Sequence, residues 1–243
     1  MFNNKVFIGI AAAVALLVVI LALGMRGGYV SFTSGSFVPH ITVAPTRMPS
    51  LDRPIDIPQD FSPEARAMLQ ERIEASRRAI EKGDAKIDVW YDLALNYKTV
   101  GDYAGAVEIW TYLSTIDPKD GVSLHNIGEY YFHTAKDYPT AEKYYLQSLA
   151  VTPKLEQDYM DLFDMYSVYK TDTTAAVDIM KQGIAELGLP TSIDLMGILG
   201  QYYENKGDKP NARMYYTQAR DGAAEFHNTQ LVAQFNKALQ RVK

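Results

Sequence analysis

The sequence predicts an all-α protein: a superhelical array of about four helix-turn-helix repeats, one of them degenerate, with flanking cap helices. A single transmembrane helix and a proline-rich linker are expected to precede the array. Three observations carry this. Bulky and small residues recur at offsets 0, 3, 4 and 7, the signature of one helical face. That pattern returns after 34 or 35 residues. A long uncharged apolar run, residues 6–25, stands apart near the amino terminus.

That run, "VFIGIAAAVALLVVILALGM", holds 20 residues without a charge. At the helical rise it covers roughly 30 Å, the thickness of a bilayer's hydrocarbon core. Ala22 and Gly24 fit the small-residue pattern of a signal-peptidase site. The apolar stretch, however, is longer than the roughly 7–15 residues of a cleaved signal. Residues 1–26 are therefore expected to be a retained anchor. Lys5 precedes the span and Arg26 follows it. The short amino-terminal tail and the bulk of the chain after the span favour an inside amino terminus and an extracytoplasmic array.

Residues 27–60 begin with glycine and serine and continue through Pro39, Pro45, Pro49, Pro54 and Pro58. Proline removes backbone donors and biases the preceding residue toward extended geometry, so a semi-rigid spacer is expected. A lead-in helix follows within residues 61–86. Ser62 is its N-cap, Pro63 its first residue and Glu64 its first-turn acid, and Gly83 ends it. Its apolar stripe of Leu69, Ile73, Ser76 and Ile80 is thin, as suits a helix covering the open end of a stack.

The repeats occupy 87–222, divided as 87–120, 121–155, 156–190 and 191–222. In the first, Trp90, Leu93, Ala94 and Tyr97 face one way. Gly101 and Asp102 turn the chain, Ala106, Trp110 and Leu113 line the second helix, and Pro118 closes it. The second copy reads Leu124, Ile127, Gly128, Tyr131, Ala141, Tyr145, Ser148 and Pro153. Its extra residue is expected in the turn, where "HTAKDYPTA" is one longer than "KTVGDYAGA". The last reads Met196, Leu199, Gly200, Tyr203, Ala212, Tyr216 and Ala219. The degenerate copy between them has Tyr159, Leu162, Phe163, Tyr166, Ala176, Met180 and Gly183. Ala94, Gly128 and Gly200 let paired helices approach closely. Residues 223–243 keep Phe226, Leu231, Phe235 and Leu239 apolar, as in a solubilising cap helix.

This pattern, W-x2-L-G-x2-Y followed by A-x3-F, A and P at a 34-residue period, resembles the tetratricopeptide repeat family. The resemblance implies a concave groove lined by the first helix of each unit, holding an extended peptide or a partner's helix. Its groove positions fall on Asp88, Tyr91, Leu95 and Lys98 in the first unit and on His125, Asn126, Glu129 and Phe132 in the second. In the last they fall on Asp194, Gly197, Gln201 and Glu204. The lysine-asparagine-arginine clamp of the family's chaperone-binding members is not matched. Asn126 fits it, but Tyr91 and Leu95 replace its lysine and asparagine.

Other classes find little support. The absence of cysteine excludes disulfides, thiolate zinc sites, a cysteine nucleophile and a lipoprotein anchor. A net charge of −5 disfavours a nucleic-acid partner. His125, Glu129 and His133 run H-x3-E-x3-H along one helix, but ligands spaced along a single helix do not converge on a metal. Asp158, Asp161 and Asp164 lack the glycine and terminal glutamate of a calcium loop and are expected on a solvated acidic face. No phosphate loop or nucleophile elbow is present. Neither catalysis, cofactor, metal nor small-molecule substrate is expected. From Ile87 onward there are 14 basic and 21 acidic residues, so a partner with a basic segment is favoured. The expected protein is a membrane-tethered scaffold that binds protein partners. The alternative is a structural accessory subunit of a cell-envelope or secretion assembly.

Overall fold

In the computed structural model, residues 47–83 and 86–243 are described. Among them lie ten α-helices and no strand. These are α1 (Pro63–Glu81), α2 (Ile87–Thr99), α3 (Tyr103–Ile116), α4 (Gly121–Glu129), α5 (Tyr138–Val151), α6 (Glu156–Asp164), α7 (Thr173–Leu187), α8 (Ile193–Asn205), α9 (Lys209–Glu225) and α10 (Thr229–Arg241). The expected span at residues 6–25 lies outside the described residues. No described helix is long and apolar enough to cross a membrane.

The pairs α2/α3, α4/α5, α6/α7 and α8/α9 are the four units, and each second helix also packs on the next first helix. The ends obey the same alternation. The α1 helix lies against α2 as α3 lies against α4, so it stands where a preceding unit's second helix would. At the far end α10 lies against α9 as a next first helix would. Ser62 caps α1 by accepting from the Ala65 N–H at 3.2 Å, and Leu69, Ile73 and Ile80 are its buried residues.

The helical periodicity is borne out by what is buried. Trp90, Leu93, Ala94 and Tyr97 are buried, as are Tyr159, Leu162, Phe163 and Tyr166 in the degenerate unit. Tyr131 and Tyr203 are half-buried, each stacked on a tyrosine of the paired helix: Tyr131 on Tyr144 at 5.8 Å and Tyr203 on Tyr215 at 5.7 Å. The small residues sit where rings press. A Cβ on Gly128 would meet the Tyr145 ring at 2.8 Å, and one on Gly200 would meet the Tyr216 ring at 2.6 Å.

One device recurs in every unit. The second helices α3, α5, α7 and α9 are N-capped by Asp102, Asp137, Asp172 and Asp208, each accepting from a first-turn N–H. The residue just before each aspartate has a positive φ: Gly101, Lys136, Thr171 and Gly207. With the turn the same in all four units, the extra residue expected there must lie elsewhere. It lies in the first helix: α4 and α6 end in π-helical segments, Tyr130–Ala135 and Met165–Tyr169. A wider final turn absorbs the residue while leaving the cap geometry unchanged.

The proline-rich stretch also differs from a free spacer. Leu51, Ile55 and Ile57 pack against the core of the first unit. Arg53 is ion-paired with Asp102, its Nη2 reaching Asp102 Oδ1 at 2.8 Å. Burial raises the Asp102 carboxyl, but hydrogen bonds from Arg53 and the Gly105 N–H outweigh it, and the net shift is downward. Arg77 of α1 donates both to the Arg53 carbonyl and to the Tyr97 hydroxyl, so this stretch is tied to α1 and α2 together.

Candidate functional site

The first helices α2, α4, α6 and α8 form a continuous layer, joined by side-chain contacts from one to the next. Between α2 and α4, Lys98 Nζ meets Glu129 Oε2 at 2.6 Å, and Tyr91 donates to Asp120 while accepting from the Ser123 hydroxyl at 3.2 Å. Between α4 and α6, His125 Nδ1 lies 2.7 Å from Asp158 Oδ1. Phe163 of α6 meets Tyr202 of α8 edge-on at 5.4 Å. On α8, Gly197 lies under the Phe235 ring of α10, and Glu204 takes both Arg241 of α10 and the Tyr216 hydroxyl.

The structure thus divides the expected groove residues. Asp88, Leu95, Asp194 and Gln201 are exposed, Leu95 to 53 %. Asn126 is half-buried and donates to the Val122 carbonyl of its own helix. Tyr91, Lys98, His125 and Glu129 are half-buried and tied to neighbouring helices. Glu204 is held by the cap helix, and Gly197 is covered by it.

Phe132 is a correction. It is 3 % exposed and sits in the core against Tyr138, Tyr145 and Tyr169, not in the groove. It lies within the π-helical end of α4, whose wider turn rotates it off the face that a regular helix would give it. A second correction concerns α6. Asp164 is exposed, but Asp158 and Asp161 are 0 % and 7 % exposed, so the solvated acidic face reduces to one residue.

Burial works on the group around His125 in one direction. It raises the Asp161 carboxyl, despite a hydrogen bond from Gln157 at 2.9 Å, and it raises Asp164, helped by the charge of Asp161. It opposes charging of the His125 ring, but the hydrogen bond and charge of Asp158 outweigh it and hold the imidazole above its ordinary value. Burial also pushes the Tyr145 hydroxyl up, with Asp161 contributing. The second oxygen of Asp158 has no hydrogen-bond partner among the described residues. No sequence pattern pointed to His125 and Asp158 as partners, since they are 33 residues apart and meet only when two units stack.

Charge is unevenly divided between the layers. The first helices with their π-helical ends carry nine carboxylates and one lysine, whereas the second helices carry six carboxylates and five basic side chains. The acidic excess of the array therefore sits on the layer that the resemblance assigned to partner binding. The pair contacts of that layer tie neighbouring first helices to one another.

Stacked hairpins of about 35 residues, with small residues under rings at the helix pairs, define a tetratricopeptide-like helical array. A solved structure shows the same fold: MamA superimposes with a TM-score of 0.53 at 16% identity, over 68% of this chain and 94% of that one. A thermophilic TPR protein of Thermus thermophilus, TTC0263, gives a TM-score of 0.48 at 18% identity, over 73% of this chain and 93% of that one. No protein-family model and no curated protein matches the chain.

Proposed function

We propose that the protein is a membrane-tethered scaffold whose first-helix layer binds a peptide or helical segment of a protein partner, and that this segment is basic. One observation carries the reading: the first helices hold nine carboxylates against one lysine, with Asp88, Asp92, Asp164 and Asp194 exposed, as is Leu95. A groove lined by one sign of charge raises the local concentration and association rate of segments of the opposite sign. The apolar side chain adds area that water leaves on binding. Residues 6–25 would anchor the chain in a bilayer, and tethering raises the array's effective concentration toward membrane-bound partners without any new contact.

A photocrosslinking amino acid at Leu95 of the full-length chain, compared with one at Leu146 on the exposed face of α5, tests the binding face. A discrete adduct at 95 and none at 146 is expected, with its yield falling as salt rises. Equal adducts at both positions, or none at 95, would count against the reading. An adduct insensitive to salt would remove the basic character of the partner. A stoichiometric complex that survives washing would favour the accessory-subunit role.

A further inference from the structure

The first residue of each second helix, just after its capping aspartate, decides how the gap to the end of the next first helix is closed. Tyr103 of α3 lies against Tyr130, in the π-helical end of α4, with ring centroids 6.0 Å apart. Tyr138 of α5 lies against Tyr169, beyond α6, at 4.6 Å. Lys209 of α9 reaches the Lys243 carbonyl, beyond α10, at 3.0 Å. At the corresponding place α7 offers Thr173, which is exposed and too short to cross. Among the described residues the gap there stays open as a cleft of about 520 Å³. Its walls include Thr173, Val177 and Asp178 of α7 and Tyr203, Lys206 and Asp208 at the end of α8.

The first unit shows what such a gap accepts. There α1 takes the place of a second helix, and the extended stretch 51–57 fills the gap between it and the end of α2. Leu51, Arg53, Ile55 and Ile57 of that stretch are half-buried, while Asp52, Pro54 and Asp56 are exposed. This alternation is that of an extended peptide lying with one side in a groove. Arg53 pairs with Asp102, and its carbonyl accepts from Arg77 of α1. Asp208 stands to α8 as Asp102 stands to α2: each caps the following helix, and Tyr203 and Tyr97 lie five residues earlier. Tyr97, tied to the stretch through Arg77, is 1 % exposed, whereas Tyr203 stays half-buried on the open cleft.

We propose that the α7–α8 cleft is a second binding site, which takes an extended segment of a protein partner carrying an arginine. That arginine pairs with Asp208 as Arg53 pairs with Asp102, and Asp178 adds a second carboxylate to the wall. Lys181 and Lys206 also line the cleft and favour acidic residues near the arginine, as Asp52 and Asp56 stand near Arg53. None of the carboxylates counted on the first helices lines this cleft, so the site stands whether or not that layer binds.

A fluorescent peptide with the sequence of residues 48–59, added to the full-length chain in detergent micelles, tests this. Saturable binding is expected, with crosslinks from a photoactivatable group on the peptide falling on α7 and α8. Affinity should drop about tenfold for Thr173→Tyr, which supplies the ring that closes the gap at the two preceding junctions. It should drop as far for a peptide carrying Arg53→Ala. Tyrosine already follows the capping aspartate at 103 and 138, so Thr173→Tyr keeps the helix start, and circular dichroism checks the fold. Crosslinks confined to α1 and α3 would mean exchange with the chain's own stretch and overturn the site. So would an affinity indifferent to Thr173→Tyr, or no binding at all. Without peptide, a dimer in sedimentation that Thr173→Tyr abolishes would put a second copy in the cleft and overturn the partner.

Discussion

At the scale of single residues, close contact and charge do different work. Gly200 is required because the Tyr216 ring occupies the space a Cβ would take. Gly200→Ala should cost about 1–3 kcal/mol through overpacking, although alanine is the better helix former. Chemical denaturation would check this, and a stabilised variant would mean that the ring gives way. His125 makes a pH prediction with a definite sign. Its folded pKa is raised, so its contribution is full below the ordinary histidine value and is lost as pH rises through the raised one. Asp161 and Asp164 are also raised, so ionising them weakens the fold as pH climbs above the ordinary carboxylate range. Asp102 and Glu204 are lowered and act oppositely, their contribution vanishing as pH falls below that range. Maximum stability is therefore expected in mildly acidic solution. Melting curves from about pH 5 to 8 should show Tm falling on the alkaline side, with a shallower slope in His125→Gln. A Tm that climbs toward pH 8 would contradict the assignment.

Among the elements, α10 shows why a repeat stack needs an end. It places Phe235 and Ala238 against the last unit, and Arg241 on Glu204. Lys209 and Arg213 of α9 hold the carbonyls of Lys243 and Val242 at 3.0 Å each, closing the chain's last turn onto the array. Phe235→Ala removes a large ring from a site 3 % exposed and should cost about 3–5 kcal/mol. In a stack held by nearest-neighbour contacts that loss stays local. Hydrogen exchange should then accelerate in α8 to α10 and leave α2 and α3 protected. Uniform acceleration would mean that the units unfold as one.

For the whole molecule, three core clusters run along the chain: one under α1 to α4, one spanning the middle units and one beneath α8 to α10. The array thus presents its first-helix layer as one surface, while each unit is secured by its neighbours. If residues 6–25 anchor the chain, full-length protein should remain with membranes through alkaline carbonate extraction. Release into the supernatant, with an amino terminus beginning after Gly24, would show cleavage instead.

Much of this was legible in the sequence. Trp90, Leu93, Ala94 and Tyr97 declared their helix because burial on one side of a helix imposes a local 3.6-residue rhythm. Gly128 and Gly200 declared the close approaches because only their lack of a side chain fits there. The aspartate caps were also within reach, standing 35, 35 and 36 residues apart. So was the π-helical ending: Tyr131 and Tyr166 lie six residues before their caps, whereas Tyr97 and Tyr203 lie five before theirs. The burial of Phe132 and Asp158 was not legible, nor was the pairing of His125 or the docking of Arg53 on Asp102. Those depend on how one helix end widens and on which units come to lie side by side. Periodicity determines which face of a helix turns inward; the partners it meets there are chosen only when the stack closes, by contacts between residues far apart in the chain.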